Sequence, residues 1–144
     1  PIDFALVAMP YTLIDQESLN DGMEKCLKNA ISVIIGAPFA SGILATGSIT
    51  NSKYAYTNAS KELQLKVNEI ETICQTHTIS LKAAALQFVL AHPAVVSTIP
   101  GAVNADQVKE NIDCLESMIP EIFWEELKET QMIVKDAPTP ENKY

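Results

Sequence analysis

Three short runs rich in apolar and β-branched residues constrain the fold of this chain more than any other feature. They lie at Asp3–Met9, Ile31–Ile35 and Val95–Ile99. The first runs from Phe4 to Ala8 without a polar residue. A continuous apolar run without alternation is typical of a strand that is covered on both faces, and such strands belong to parallel sheets. The three runs therefore predict three parallel strands.

Helical segments follow each of these strands. The clearest has Leu63, Val67 and Ile70 at steps of four and three, which places them on one face of a helix. Ser80 has the side chain of an N-cap residue, and Pro120 suits the start of a helix. The predicted helices are about Ser18–Asn29, Ala59–His77, Leu81–Ala91, Asn104–Glu116 and Pro120–Gln131.

The order of the elements, with one or two helices after each strand, predicts an α/β fold with right-handed crossovers. Three parallel strands alone leave two unpaired edges and an uncovered face, which is a poor independent fold. A closed (β/α)8 barrel takes about 250 residues, whereas this chain has 144. We therefore predict a partial TIM (β/α)8 barrel over residues 1–135 and a flexible tail over residues 136–144. A start at Pro1 rather than at Met is what we expect of a processed or truncated chain.

Charge and cysteine content narrow the classes of function. A net charge of −8 argues against a nucleic-acid or anionic membrane surface, because both need clustered Lys and Arg. Residues 29–52 carry no charge, but glycines and a proline interrupt them, so we expect a buried strand and a tight loop rather than a membrane span. Cys26, Cys74 and Cys114 are widely spaced, and no two Cys or His residues have ligand spacing. We expect three buried reduced thiols, no metal site and a cytoplasmic location.

Three segments carry a resemblance to a known family. They are Met9–Gln16, Gly36–Ala45 and the block from Leu81 to Ala102, of which the last is the most specific. These segments resemble the aldo-keto reductases, and the first is most similar to the aldose (fucose, threo-aldose) and pyridoxal dehydrogenase branch. The resemblance covers residues 1–131. It implies that the chain is the last three β/α units of the barrel with the C-terminal helices.

The first part of the implied cofactor site is the glycine-rich loop after the second strand. In this family the loop amides wrap the pyrophosphate of NAD or NADP. In barrels, ligands lie at the carboxyl ends of the strands, and Gly42 and Gly47 would let the backbone approach a phosphate closely. The alternative is that these glycines merely permit turns. The residues that the resemblance places at the cofactor here are Gly36, Pro38, Phe39, Ser41, Gly42 and Leu44.

The second part is the helix start after the third strand. Asn104 is the predicted N-cap, Gln107 completes a capping box, and Val103 with Val108 forms a hydrophobic staple. The resemblance implies that the adenosine end of the cofactor lies on the same helix start. Both interpretations hold together, because capping and ligand binding use different faces. The implied contacts are Gly101, Ala102, Val103 and Asn104 near the ribose, and Gln107, Glu110 and Asn111 at the adenine.

The choice between NAD and NADP follows from the same segment. Many relatives that prefer NADP carry Lys or Arg at the positions of Gly101, Asn104 or Gln107. A charged pair to the 2′-phosphate would contribute about 1.5–3 kcal/mol. The only cation near these positions in the sequence is Lys109. We therefore predict that NAD is bound at least as well as NADP.

The catalytic residues of the family are expected outside this chain. The family uses a Tyr acid/base tuned by a Lys and an Asp, with a His near the substrate, and these residues lie at the ends of earlier strands. None of the four Tyr residues here has a Lys and an Asp in a recognisable arrangement. Tyr11 either lines the mouth of the substrate site or packs in the interior. His77 and His92 are interpreted as helix ends, and His77 as either a C-terminal cap or a solvent-exposed side chain.

Three hypotheses remain open from the sequence. In the first, the chain is the cofactor-binding part of an oxidoreductase that acts on a small carbonyl or sugar. In the second, it is a non-catalytic partial barrel that binds a nucleotide or a protein. In the third, it is part of a phosphate-binding barrel such as an aldolase, although no suitable Lys or carboxylate pair is evident. We expect the missing N-terminal half of the barrel, or a second copy, to cover the open strand edges.

Overall fold

The computed structural model of the chain describes residues 2–48, 53–55 and 57–141. The main elements follow the predicted order, with short additional pieces after the second strand. The strands are β1 (Phe4–Val7), β2 (Ser32–Gly36), β3 (Lys53–Tyr54), β4 (Thr57–Asn58) and β5 (Val95–Ile99). The helices are α1 (Glu24–Lys28), α2 (Ile43–Thr46), α3 (Lys61–Thr76), α4 (Leu81–Leu90), α5 (Ala105–Glu116) and α6 (Glu121–Glu129).

The main sheet is parallel and has the strand order β1-β2-β5, which confirms the three predicted strands. Phe4 pairs with Ser32 at the start of β1 and β2. The register between β2 and β5 shifts after Val33, so that Val96 is an extra residue on β5. The antiparallel hairpin β3-β4 forms a second, two-stranded sheet that does not pair with the main sheet. It was not predicted, because two-residue strands are too short to show a periodic pattern.

The two faces of the main sheet differ in burial. Val33 and Ile35 are completely buried beneath the helices, whereas Phe4 and Leu6 on the opposite face are 62% and 60% exposed. Successive side chains of a strand point to opposite faces, so this alternation means that the described residues cover only one face. The expectation of strands covered on both faces is therefore wrong for this chain alone. An uncovered inner face is what three units of an eight-unit barrel would present.

The core between the sheet and the helices contains a chain of aromatic rings. The Tyr11 ring stacks on Phe88 at 5.5 Å, and the Phe88 ring lies 6.4 Å from Trp124. The rings of Trp124 and Phe123 meet edge to face, with their centres 5.0 Å apart. All four side chains are buried. These contacts join the loop after β1 to α4 and α6. Large aromatic rings contribute much of the apolar area that a core buries, so this chain of rings is a main part of the packing.

Hydrogen bonds from backbone amides to side-chain oxygens mark where the longer helices begin. The side chains of Ser60, Ser80 and Asn104 each accept a hydrogen bond from the amide three residues later. The predicted N-caps at Ser80 and Asn104 are thus confirmed. Each such cap satisfies an amide that has no partner within its helix.

The first helical segment departs from its prediction. Instead of one α-helix over Ser18–Asn29, a π-helical turn at Leu19–Met23 precedes α1. A π-helical turn holds more residues than an α-helical turn, so it rotates the following residues around the axis. Leu27 is consequently 46% exposed, whereas Leu19 and Met23 are buried.

The chain beyond α6 packs against the core. Ile133 and Ala137 are each 1% exposed. The Val134 amide donates to the Gln16 side chain at 3.2 Å, which ties this segment to the loop after β1. The predicted flexible tail begins at residue 136. Within it, Asp136 is exposed, whereas Ala137 packs against the core. Residues 142–144 of that tail lie outside the described residues.

Candidate functional site

The loops after β2 and β5 leave the sheet at the same edge, because parallel strands end on one side. The loop after β2 contains four residues with positive φ: Ala37 (52°), Ala40 (49°), Ser41 (61°) and Gly42 (100°). Three of these carry a Cβ, and each such conformation costs of order 1–3 kcal/mol. Strain of this kind concentrates where a loop shapes a binding site.

The same loop uses several of its own polar groups. The Ala40 amide donates to Ala37 O at 2.9 Å, and the Gly42 and Leu44 amides donate to Phe39 O at 2.9 and 3.1 Å. The side chains of Phe39 and Leu44 are buried, as is Pro38. These three side chains therefore fix the shape of the loop from beneath. Any contact that they make with a cofactor would come from backbone groups, of which the Leu44 amide already donates within the loop and Pro38 has no N–H.

Of the other predicted loop residues, Gly36 and Ser41 are half-buried. The Ser41 hydroxyl lies 4.0 Å from Met9 Sδ, so it faces the end of β1. From the sequence, Gly47 was expected to let the backbone approach a phosphate, but in the structure a side chain lies beside it. A Cβ at Gly47 would collide with the Glu71 carboxylate, which accepts hydrogen bonds from the Ser48 amide and hydroxyl at 2.9 and 2.8 Å. The need for glycine at position 47 is therefore structural.

The start of α5 has most of the predicted capping contacts. Asn104 Oδ1 accepts from the Gln107 amide at 2.9 Å. Gln107 Oε1 accepts from the Val103 amide at 3.0 Å, one residue before the amide that a capping box would use. Val103 is 86% exposed and Val108 is 50% exposed, so the predicted hydrophobic staple buries little surface.

The surface before α5 is open. Gly101, Ala102 and Val103 are exposed, and no atom lies within 4 Å of a Cβ built on Gly101. Further along α5, Asn111 is 5% exposed, and its Oδ1 has no hydrogen-bond partner among the described residues. A buried acceptor without a partner costs about 1–3 kcal/mol. Of the predicted adenosine contacts, Asn111 is therefore the side chain that most clearly requires a further partner.

The structure brings the two predicted cofactor segments together through Lys82, which the sequence analysis missed. Lys82 Nζ lies 2.7 Å from Glu110 Oε2 on α5 and 5.4 Å from the centre of the Phe39 ring in the loop after β2. Lys109, the cation that the sequence analysis singled out, instead pairs with Asp113 at 2.7 Å. In the sequence, Lys82 shows only as a single Lys near the start of an apolar helix. Its contacts with Glu110 and Phe39 join distant parts of the chain, which a local pattern does not reveal.

Tyr11 lies away from any opening. Its side chain is completely buried, with its ring between Phe88 and His92, and its hydroxyl has no partner among the described residues. Burial raises the pKa of this phenol. Tyr11 therefore packs in the interior of the described chain, and a place at the substrate mouth of a complete barrel stays a prediction.

The two histidines are more than helix ends. His77 follows α3, and its Nε2 lies 2.5 Å from Glu126 on α6. His92 is buried, and its Nδ1 accepts from the Ala94 amide at 3.1 Å. Burial lowers the pKa of His92, which favours the neutral ring. Both side chains connect structural elements rather than line a cleft.

A second polar cluster lies beside α3, where a Tyr, an Asp and a Lys that are distant in the sequence come together. The Tyr54 hydroxyl donates to Asp15 Oδ2 at 3.0 Å, and Lys66 Nζ donates to Ile14 O at 2.8 Å. The cluster borders a cavity of about 560 Å³. Burial, followed by the bond to Asp15, raises the pKa of Tyr54 to about 12. A catalytic acid near neutral pH needs a lowered phenol pKa, so this cluster does not replace the family's acid/base.

Three further observations concern classes of site. No group of three or more His, Cys, Asp or Glu side chains among the described residues could hold a metal ion. The three cysteines are free thiols; Cys74 and Cys114 are buried, whereas Cys26 is only half-buried, so the expectation of three buried thiols is wrong for Cys26. Within the described part of the chain, no helix has both the length and the apolar character to cross a membrane.

The comparisons with known proteins identify the family. Residues 1–131 match the aldo/keto reductase family. The chain belongs to this family. It is 33% identical over 132 residues to a pyridoxal 4-dehydrogenase of Microbacterium luteolum, and 32% identical over 140 residues to a D-threo-aldose 1-dehydrogenase of a Pseudomonas species. The alignments cover 92% and 96% of this chain but 39% and 41% of those proteins.

A solved structure gives the same result for the fold. The holo form of an aldo-keto reductase from Bacillus halodurans superimposes with a TM-score of 0.66 at 26% identity. The match covers 96% of this chain and 45% of that protein. The aldo-keto reductase resemblance and its dehydrogenase branch are thus confirmed, and so is the partial barrel. Family membership also removes the aldolase-type hypothesis.

Proposed function

We propose that this chain is the C-terminal, cofactor-binding part of an NAD(P)-dependent aldo-keto reductase that transfers hydride between the nicotinamide and a small carbonyl compound or sugar. The observation that carries the proposal is Asn111 Oδ1, a buried acceptor without a partner on the helix that follows β5. A bound adenine would supply the missing donor, because its 6-amino group carries two hydrogens.

The remaining predicted contacts fit the same ligand. The exposed backbone of Gly101 and Ala102 leaves space for a ribose, and the strained loop around Gly42 provides the surface for the pyrophosphate. The described residues near α5 offer Lys82 and Lys109 as cations, and each already has a carboxylate partner. A 2′-phosphate would therefore gain little charge pairing here, which supports our preference for NAD over NADP.

We place the catalytic Tyr, Lys, Asp and His in the part of the barrel that this chain lacks. The chain spans about two fifths of the curated relatives that it matches. The exposed face of β1, with Phe4 and Leu6, supports docking of that remaining part, on the same polypeptide or as a separate chain, or of a second copy. The free thiols favour a cytoplasmic location.

The uncovered sheet face also supports the alternative of a non-catalytic binding module. Enzymatic assays separate the two functions. We expect the protein completed with the other barrel half to oxidise an aldose or reduce a small aldehyde with NAD(H), and the 144-residue chain alone to show no hydride transfer. Cofactor binding without turnover by the completed barrel would favour the binding module.

Calorimetric titration tests the cofactor assignment directly. We expect NAD⁺ to bind at least as tightly as NADP⁺, because no unpaired cation lies near Gly101 among the described residues. A preference for NADP⁺ of about tenfold, roughly 1.4 kcal/mol, would contradict the assignment.

A further inference from the structure

Lys82 occupies a position that helix stability does not explain. It is the second residue of α4, whose N-cap is Ser80, and its side chain is only 13% exposed. The amino end of a helix carries a partial positive charge, so an ammonium group is unfavourable there. The first turn of α4 contains no acidic residue to offset it. The contacts that hold Lys82 must therefore come from outside its own helix.

Both contacts come from the segments proposed to bind the cofactor. Lys82 Nζ is 2.7 Å from Glu110 Oε2, and it lies over the Phe39 ring at 5.4 Å from the ring centre, within the range of a cation–π interaction. Glu110 itself is 54% exposed, so without Lys82 its carboxylate would sample several rotamers. Lys82 thus restrains a side chain that is otherwise free to move.

The chemistry of Glu110 and Asn111 explains what this restraint achieves. An ionised carboxylate accepts hydrogen bonds and donates none, and the unpaired oxygen of Asn111 is also an acceptor. The 6-amino group of adenine is a donor with two hydrogens. Acceptors on these two consecutive residues of α5 suit adenine, whereas a purine with a carbonyl at position 6 would place oxygen against oxygen.

We propose that Lys82 is a positioning residue of the adenosine site. It holds the Glu110 carboxylate and the Phe39 ring in place, so that the site recognises adenine through its 6-amino group. The inference rests on the proposed cofactor function. It adds a determinant of base specificity on α4, outside both segments that the sequence associates with the cofactor.

The test compares NAD⁺ with its hypoxanthine analogue, in which a carbonyl replaces the 6-amino group, by calorimetric titration of the purified protein. We expect the unmodified protein to bind NAD⁺ about tenfold more tightly than the analogue, as fits the loss of one hydrogen bond to a charged group. In Lys82→Met this ratio should fall to about twofold or less, because Glu110 is no longer held.

Two control variants separate this role from simpler effects. Gln87→Met removes a different side-chain tie between α4 and the end of α5, since Gln87 Nε2 donates to Cys114 O at 2.8 Å and to Ser117 O at 2.7 Å. Lys28→Met makes the same change of net charge at an exposed ion pair with Glu24. Both controls should keep the ratio of the unmodified protein.

The outcomes are distinct. An unchanged ratio in Lys82→Met, or an equal fall in Gln87→Met, would overturn the positioning role while leaving the cofactor site intact. A Glu110→Gln variant should lower the ratio as Lys82→Met does, and the double variant should lower it no further, because both act through one carboxylate. Additive losses would also contradict the proposal. If the unmodified protein binds neither nucleotide, the proposed function fails, and this inference fails with it.

Discussion

Replacing Asn111 by Leu should stabilise the protein and weaken cofactor binding at the same time. Leu has nearly the shape of Asn but no polar atoms, and position 111 is 5% exposed. In the structure, Oδ1 of Asn111 has no hydrogen-bond partner among the described residues. Most buried residues lose stability when they are replaced, so a gain in stability would be a specific signature of a group kept for binding.

The magnitude follows from the unpaired oxygen. A buried acceptor without a partner costs about 1–3 kcal/mol, and an apolar side chain of the same shape removes this cost. Part of the gain is lost to imperfect packing, which leaves a net stabilisation of about 1 kcal/mol. For a domain of this size, that raises Tm by roughly 3 °C. Loss of one hydrogen bond to adenine should weaken NAD⁺ binding by roughly tenfold.

The assay pairs thermal unfolding without ligand with calorimetric titration of NAD⁺. Asn20→Leu is the matched control, because Asn20 is exposed in the π-helical turn before α1, far along the chain from α5. It should change neither quantity appreciably. If Asn111→Leu lowers Tm and leaves NAD⁺ affinity unchanged, Asn111 has only a structural role and the reasoning is refuted.

Two other substitutions test the loop and the pH response. Gly42→Ala should lower the free energy of unfolding, measured in urea, by about 1–2 kcal/mol, because φ is 100° at this position. The control Gly22→Ala, whose Cβ would make only ordinary contacts, should be neutral or slightly stabilising. Equal effects of the two substitutions would contradict the strain argument. Because the pKa of His92 is lowered in the folded protein, His92 of the unfolded chain is protonated first as the pH falls. The contribution of the neutral ring to the free energy of unfolding is therefore fully present above about pH 6.5 and is lost as the pH falls through the folded-state pKa. In His92→Asn, whose oxygen can still accept from the Ala94 amide, this part of the acid dependence in pH-resolved urea unfolding should disappear, and a persistent slope would rule out His92 as its source.

The sequence predicted the elements with strong local signals and missed those fixed by distant contacts. β5 has the predicted bounds, and α5 begins after Asn104 as expected, because strand composition and N-cap chemistry are local properties. The π-helical turn before α1 was missed, since its extra residue leaves no separate mark on an apolar pattern.

The same division applies to the candidate site. Gly42 and Asn111 were predicted at the cofactor from residue type and family resemblance, and that role stays a prediction. The structure adds a positive φ at Gly42 and an unpaired buried oxygen at Asn111. Lys82 and the Tyr54–Asp15 pair were not found, because each contact joins residues far apart in the chain. Gly47 was placed at a phosphate, although its neighbour is the Glu71 carboxylate, since a glycine pattern does not reveal what approaches the backbone.

The packed segment after α6 has a practical consequence for protein engineering. The family match ends at residue 131, but Ile133 and Ala137 beyond it are almost fully enclosed. A fusion, swap of barrel halves or circular permutation designed from the family boundary would remove two interior side chains and the Val134–Gln16 hydrogen bond. Junctions for such chimaeras therefore belong after residue 137, where cutting the chain leaves the interior filled.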